Sequence, residues 1–293
     1  MALFTLPYPV KMLVQGVKRF GRHQQSVVAG HLAYSLMLSM LPFLIFATAL
    51  TGTLVGDAET KAALDTMFEA LPEHVARTLE PVVREVTSRP QGGILTIAAL
   101  GTVWAASNGV EAVRIGLNRA YEDDLERHFV LSRLISILVV ILGFLTFVLL
   151  GVLIIFAPLA FRIAQDVMGV DVPRSADIAR HVVGFGLLFG FLWVVHRLLP
   201  ARKMKGFSLW PGILTSVLLW IIVASGLSFY LSNVQDYTIT YGTLAGVIVT
   251  LLFLFLTGAV LMLGAEVNAA VNARRMRRRE ETGGMLEAPL TPA

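Results

Sequence analysis

The run from His31 to Phe43, HLAYSLMLSMLPF, places a histidine, a tyrosine, two serines and a proline inside an otherwise apolar stretch. At helical spacing His31, Ser35, Ser39 and Pro42 share an arc of about 80°, with Tyr34 on its flank. Trp104, Asn108, Glu111 and Asn118 share a second arc of about 80°. Thr250, Thr257, Glu266 and Asn268 recur along a third segment, and Asn233, Asp236, Tyr237, Thr240 and Tyr241 stand just before it. Such groups can contact a cation, a proton or an amine through the two glutamates. The hydroxyls and amides can bind a solute or a lipid headgroup, and Pro42 frees backbone carbonyls that a cavity can use. A structural reading stands beside this one. Serine, threonine and asparagine also bond helix to helix, and Glu111 and Glu266 can snorkel to pair with Arg114 or Arg274.

The elements that carry these residues follow from composition. Of 293 residues, 56% are hydrophobic and 15% charged, and the mean hydropathy is +0.72. A soluble domain carries about a quarter charged residues, so this is a membrane protein. Roughly 20 apolar residues cross a hydrocarbon core, and six such stretches recur: Val27 to Val55, Gly93 to Ala112, Leu134 to Ala157, Ile178 to Leu199, Leu209 to Leu231 and Thr243 to Val267. Their apolar runs are unbroken and do not alternate, which excludes strands of a barrel. The expected fold is all-α and polytopic, with six transmembrane helices.

Polar segments complete the organisation. Residues 1–26 form a cytoplasmic arm in which Val10, Leu13, Val14, Val17 and Phe20 share one arc and Lys11, Lys18, Arg19 and Arg22 lie on the other side. That pattern suits a helix in the headgroup layer, or one docked on the bundle. Residues 27–272 form the membrane domain. Within it, 56–91 shows two apolar stripes at helical spacing, read as short amphipathic helices over the outer mouth. Residues 273–293 form a basic, disordered cytoplasmic tail.

Basic residues in short loops stay on the cytoplasmic side. Lys11, Lys18, Arg19 and Arg22, then Arg197, Arg202, Lys203 and Lys205, then Arg274, Arg275, Arg277, Arg278 and Arg279 all fall on one side of a six-span arrangement. Both termini are expected in the cytoplasm. The net charge of +4 then needs no nucleic-acid partner, and the basic tail meets anionic lipid headgroups.

Several chemistries lack their residues. No cysteine is present, which excludes disulfides, thiol nucleophiles and thiolate metal sites. The six histidines are isolated, and no Walker A, GxGxxG, GxSxG or HExxH run occurs. The acidic run YEDDLERH at 121–128 is the nearest approach to a metal site, and it reads as a helix end that offsets Arg119 and Arg127. No cofactor or metal is expected.

Four blocks in order, HLAYSLMLSMLPF, GILTIAALGTVWAASNGVEAVRIGLNRAYE, RLLPARKMKGFSLWPG and FYLSNVQDYTITYGTLAGVIVTLLFLFLTGAVLMLGAEVNA, resemble the YihY/BrkB family of bacterial inner-membrane proteins. The resemblance runs from Val10 to Asn272 and implies a six-helix inner-membrane fold without an assigned activity. It also brings the label "ribonuclease BN", which is set aside because the HxHxDH metal cluster of such nucleases is missing. The chain is therefore read as no enzyme but as a transporter or translocase-like binder of a small solute or lipid. Its cleft is lined by His31, Tyr34, Ser35, Ser39, Pro42, Asn108, Glu111, Asn118, Thr250, Glu266 and Asn268, with Asn233, Asp236, Tyr237 and Tyr241 at the outer mouth. The alternatives are a non-transporting scaffold for envelope assembly and a membrane-bound hydrolase.

Overall fold

The computed structural model describes residues 7–55, 92–122, 127–153, 174–201, 206–233 and 244–286. Within them lie seven helices: α1 (Tyr8–Arg22), α2 (Gln25–Val55), α3 (Gly92–Ala120), α4 (Phe129–Gly151), α5 (Arg174–Leu198), α6 (Trp210–Asn233) and α7 (Leu244–Leu286). No strand occurs among the described residues. Helices α2 to α7 occupy the ranges expected for the six spans. Among the described residues, four helical stretches are long and apolar enough to cross a membrane by length and composition: Phe129–Gly151, Ile178–Leu198, Trp210–Leu231 and Gly246–Arg278. The amphipathic helices expected over 56–91, and the end of the third span at 154–157, lie outside the described residues.

The chain divides into two compact units. The first holds Met1–Gln25, Gly116–Leu218 and Leu261–Ala293; the second holds Ser26–Ile115 and Leu219–Val260.

In the first unit, α1 starts behind Pro7 with a second proline in its first turn, where a missing N–H leaves no bond unmade. It ends on Arg19 and Arg22, which suit the negative end of the helix dipole. Gln24, at φ 51°, then turns the chain through the left-handed region. Helix α1 runs antiparallel to α7. Tyr8 meets Arg274, whose guanidinium lies 5.2 Å from the ring centroid; Met12 packs with Val267 and Val271; and a Cβ on Gly16 would lie 2.6 Å from Val267 Cγ2.

Helix α4 buries a narrow stripe, Ser132, Ser136 and Val139, while Phe129, Leu138, Leu145 and Phe147 are exposed. This reverses the pattern of a soluble helix, as lipid contact requires. It packs antiparallel to α5, with Gly143 against Phe191 and Gly184 against Leu150 and Leu153.

Among the described residues, the closest approach at a glycine joins α6 to α7. Gly212 and Ser216 face Gly264 so closely that a Cβ on either glycine would overlap the other helix, the use expected of small residues four apart. Gly186 and Gly190 share that spacing, yet nothing lies within 4 Å of a Cβ on either. Gly264→Ala should therefore destabilise the protein by about 1–3 kcal/mol. Gly190→Ala should be neutral or stabilising by up to about 1 kcal/mol, from helix propensity alone. Thermal unfolding of both variants in detergent checks the contrast.

Candidate functional site

Glu266 follows the apolar run LMLGA of α7 and is fully enclosed, with no exposed side-chain surface. A carboxylate removed from water needs charge and donors around it. Three donors arrive from the α1–α2 corner. Arg19 Nε donates to Oε2 at 3.1 Å, His23 Nδ1 meets Oε1 at 2.7 Å, and Gln25 Nε2 donates to the same oxygen at 2.8 Å. The turn at Gln24 makes this possible, because it lets His23 and Gln25, on either side of it, both face Glu266.

The clasp extends to the end of α3. Arg19 Nη2 donates to Ala120 O at 2.9 Å and pairs with Glu122 at 3.0 Å; Gln25 Nε2 also donates to Gly116 O at 3.0 Å. Glu122, like Gln24, holds φ 51°. Beside it Tyr121 is buried, edge-on to Phe207 at 6.3 Å. Burial pushes the Tyr121 phenol up, and the charge of Glu266 adds to this.

Further along α7, two asparagines four residues apart reach the start of α6. Asn268 Oδ1 accepts from Gly212 N at 2.7 Å. Asn272 bonds both backbone groups of Ser208, accepting from its N–H at 2.8 Å and donating to its carbonyl at 2.9 Å. These bonds supply partners that the first turn of a helix lacks. Pro211 contributes no N–H, so that turn has one donor fewer to satisfy. Nearby, Asn118 Oδ1 accepts from Ala201 N at 3.3 Å, and Arg127 donates to Leu198 O at 3.0 Å and to Pro200 O at 2.7 Å.

The second unit carries the other expected residues. Helices α2 and α3 run antiparallel: a Cβ on Gly101 would lie 3.7 Å from Pro42, and one on Gly109 would lie 3.6 Å from Ser35, Leu32 and Leu36. Gly258 of α7 approaches the same Leu32, with Cδ2 3.1 Å from its Cβ position. The polar stripe of α2 is divided. Ser35 and Ser39 are buried, and Ser39 donates to Leu36 O; His31 and Tyr34 are exposed. Asn108 is half-buried, one step from the Gly109 contact. Glu111 forms a bidentate pair with Arg114, Nε standing 3.0 and 2.9 Å from its two oxygens. Its side chain stays 31% exposed and that of Arg114 20%. Thr250 bonds Gly246 O within its helix, and Thr257 accepts from Trp220 at 3.2 Å.

The residues expected to line one cleft thus fall into two groups. His31, Tyr34, Ser35, Ser39, Pro42, Asn108, Glu111 and Thr250 belong to one unit; Asn118, Glu266 and Asn268 belong to the other. Asp236, Tyr237 and Tyr241, and the side chain of Asn233, lie outside the described residues. Glu111 meets Arg114 as anticipated, but Glu266 meets Arg19 and His23, while Arg274 stacks on Tyr8. Sequence reasoning grouped Arg19 with Lys18 and Arg22 and missed Gln25. A signal for Arg19 was available, since it sits three and four residues from Gly16 and His23, in line with Met12. Among the described residues, no group of three or more histidine or acidic side chains could hold a metal ion.

Comparison with known proteins gives a family. The family described as "Virulence factor BrkB" matches residues 17–288. A putative ribonuclease-like protein, YfkH of Bacillus subtilis, is 32% identical over 262 residues, covering 88% of this chain and 94% of its own. A UPF0761 membrane protein of Pseudoalteromonas translucida is 23% identical, covering 88% of this chain and 85% of its own. No solved structure matches. With a family match over most of its length, the chain belongs to the BrkB family of multi-pass integral membrane proteins.

Proposed function

We propose that this protein spans the bacterial inner membrane six times, with both termini in the cytoplasm, and binds and moves a small solute or lipid along the α2 and α3 face of its second unit. The contrast between the two glutamates carries this reading. Glu266 is enclosed and engaged by three donors, so it is a structural clasp. Glu111 and Arg114 satisfy each other but remain 31% and 20% exposed, which leaves both charges within reach of a ligand. Tyr34 and Trp104 in the same unit are 60% and 67% exposed. On α3, Trp104 lies seven residues before Glu111 and so on the same side of the helix, and an exposed ring beside an ion pair suits an amphiphile whose headgroup meets the charges while its tail stays in lipid.

The ribonuclease-like name of one relative is not carried over, because the metal-binding histidine and aspartate cluster of such nucleases is absent from the sequence. Lipid and metabolite profiling of a deletion strain selects the compound, and purified protein in vesicles tests it. Glu111→Gln should lower the transport rate by roughly tenfold or more, because a removed buried-edge charge contact is worth about 1.5–3 kcal/mol, with thermal stability retained. Loss of rate and stability together, or an unchanged rate, overturns the reading. Glu266→Ala should behave in the opposite sense. Stranding Arg19 and His23 without their anion should destabilise the fold by about 3–5 kcal/mol, read as a lower unfolding temperature and faster proteolysis of the N-terminal arm.

A further inference from the structure

Helix α1 has three faces rather than two. At about 100° per residue, Met12, Gly16, Arg19 and His23 form the face that docks on α7. The apolar residues Val10, Leu13, Val14, Val17 and Phe20 lie to one side of it, and Val10 and Val17 are 41% and 54% exposed. The basic residues Lys11, Lys18 and Arg22 lie to the other side, with Lys18 and Arg22 exposed. Leu13 of the apolar side packs against the Met12, Val267 and Val271 cluster, while Val10 and Val17 stand outward.

Depth along α7 gives this uncovered surface a meaning. His23 and Arg19 bond Glu266, the first charged residue after the apolar run of α7. Tyr8 meets Arg274, eight residues further on, which at 1.5 Å per residue is about 12 Å beyond. A headgroup layer is only about 5–8 Å thick. The C-terminal half of α1, with Val17 and Phe20, thus sits at the level where lipid ends, and Val10 sits beyond it. Arg119 is exposed beside Ala120, whose carbonyl Arg19 holds. It adds a third exposed cation to Lys18 and Arg22.

We propose that α1 is an oblique foot on an anionic phospholipid: Lys18, Arg22 and Arg119 take the headgroup phosphate, and Val17 and Phe20 enter the adjoining acyl layer. This does not rest on the transport reading and holds whether or not a solute moves.

The chain has no cysteine, so a single introduced thiol is a unique label site. Val17→Cys and Val10→Cys, each carrying a bimane, are placed in full-length protein in vesicles of phosphatidylcholine with and without phosphatidylglycerol. The Val17 label should be quenched by a lipid-borne nitroxide and shielded from iodide, and the Val10 label should show the reverse. Iodide quenching of both labels alike means a water-facing or protein-facing surface, and lipid quenching of both means a flat helix; either overturns the proposal. Replacing Lys18, Arg22 and Arg119 together by glutamine leaves Arg19 and its clasp in place. It should lower the phosphatidylglycerol retained in native mass spectra by roughly tenfold or more. Unchanged retention in a variant of wild-type thermal stability overturns the lipid site.

Discussion

A fully enclosed carboxylate at the point where an apolar helix turns polar constrains everything around it. Glu266 has no water to solvate it, and its neighbours on α7 are alanine, glycine and valine, so its partners must come from elsewhere in the chain. Arg19, His23 and Gln25 supply them only if α1 lies along α7 and the chain reverses sharply at Gln24. Arg19 and Gln25 have donors to spare, and those bind carbonyls at the end of α3. One buried charge therefore fixes the course of the N-terminal arm, the corner into α2 and the end of a third helix.

The same region shows two ways of joining helices in lipid. Where backbones can touch, as at Gly212, Ser216 and Gly264, close dispersion contact suffices. Where a helix begins and its amides lack partners, Asn268 and Asn272 provide them. The second unit relies on the first device, with Gly109 and Gly258 both admitting Leu32. The Glu111–Arg114 pair is local to one helix.

Much of this was legible in the sequence. The apolar runs located the helices, four of which are long and apolar enough among the described residues to cross a membrane, because a span must satisfy its backbone internally and face lipid with carbon. Gly212 and Ser216 announced close packing, and Glu111 three residues before Arg114 announced a local pair. Long-range pairing was hidden. Nothing near Glu266 in sequence marks its partners, which lie more than 240 residues away, and the face of α1 formed by Met12, Gly16, Arg19 and His23 did not stand out from the apolar stripe beside it. Gly186 and Gly190 carry the same spacing as the packed glycines without the contact, because spacing reports what a helix permits and not what approaches it. Ser35 and His31, four residues apart on one arc of the wheel, differ in exposure.

The asparagine ladder bears on how the chain tolerates change in length. Asn272 and Asn268 read main-chain groups of Ser208 and Gly212, and both pairs are spaced by four residues. No side-chain identity at Ser208 is read, so that residue is open to replacement on this account. The count from 208 to 212 is not, since one inserted or deleted residue would leave two buried amides facing the wrong amino acid. Gain and loss of residues in this corner should be confined to the connection before Ser208.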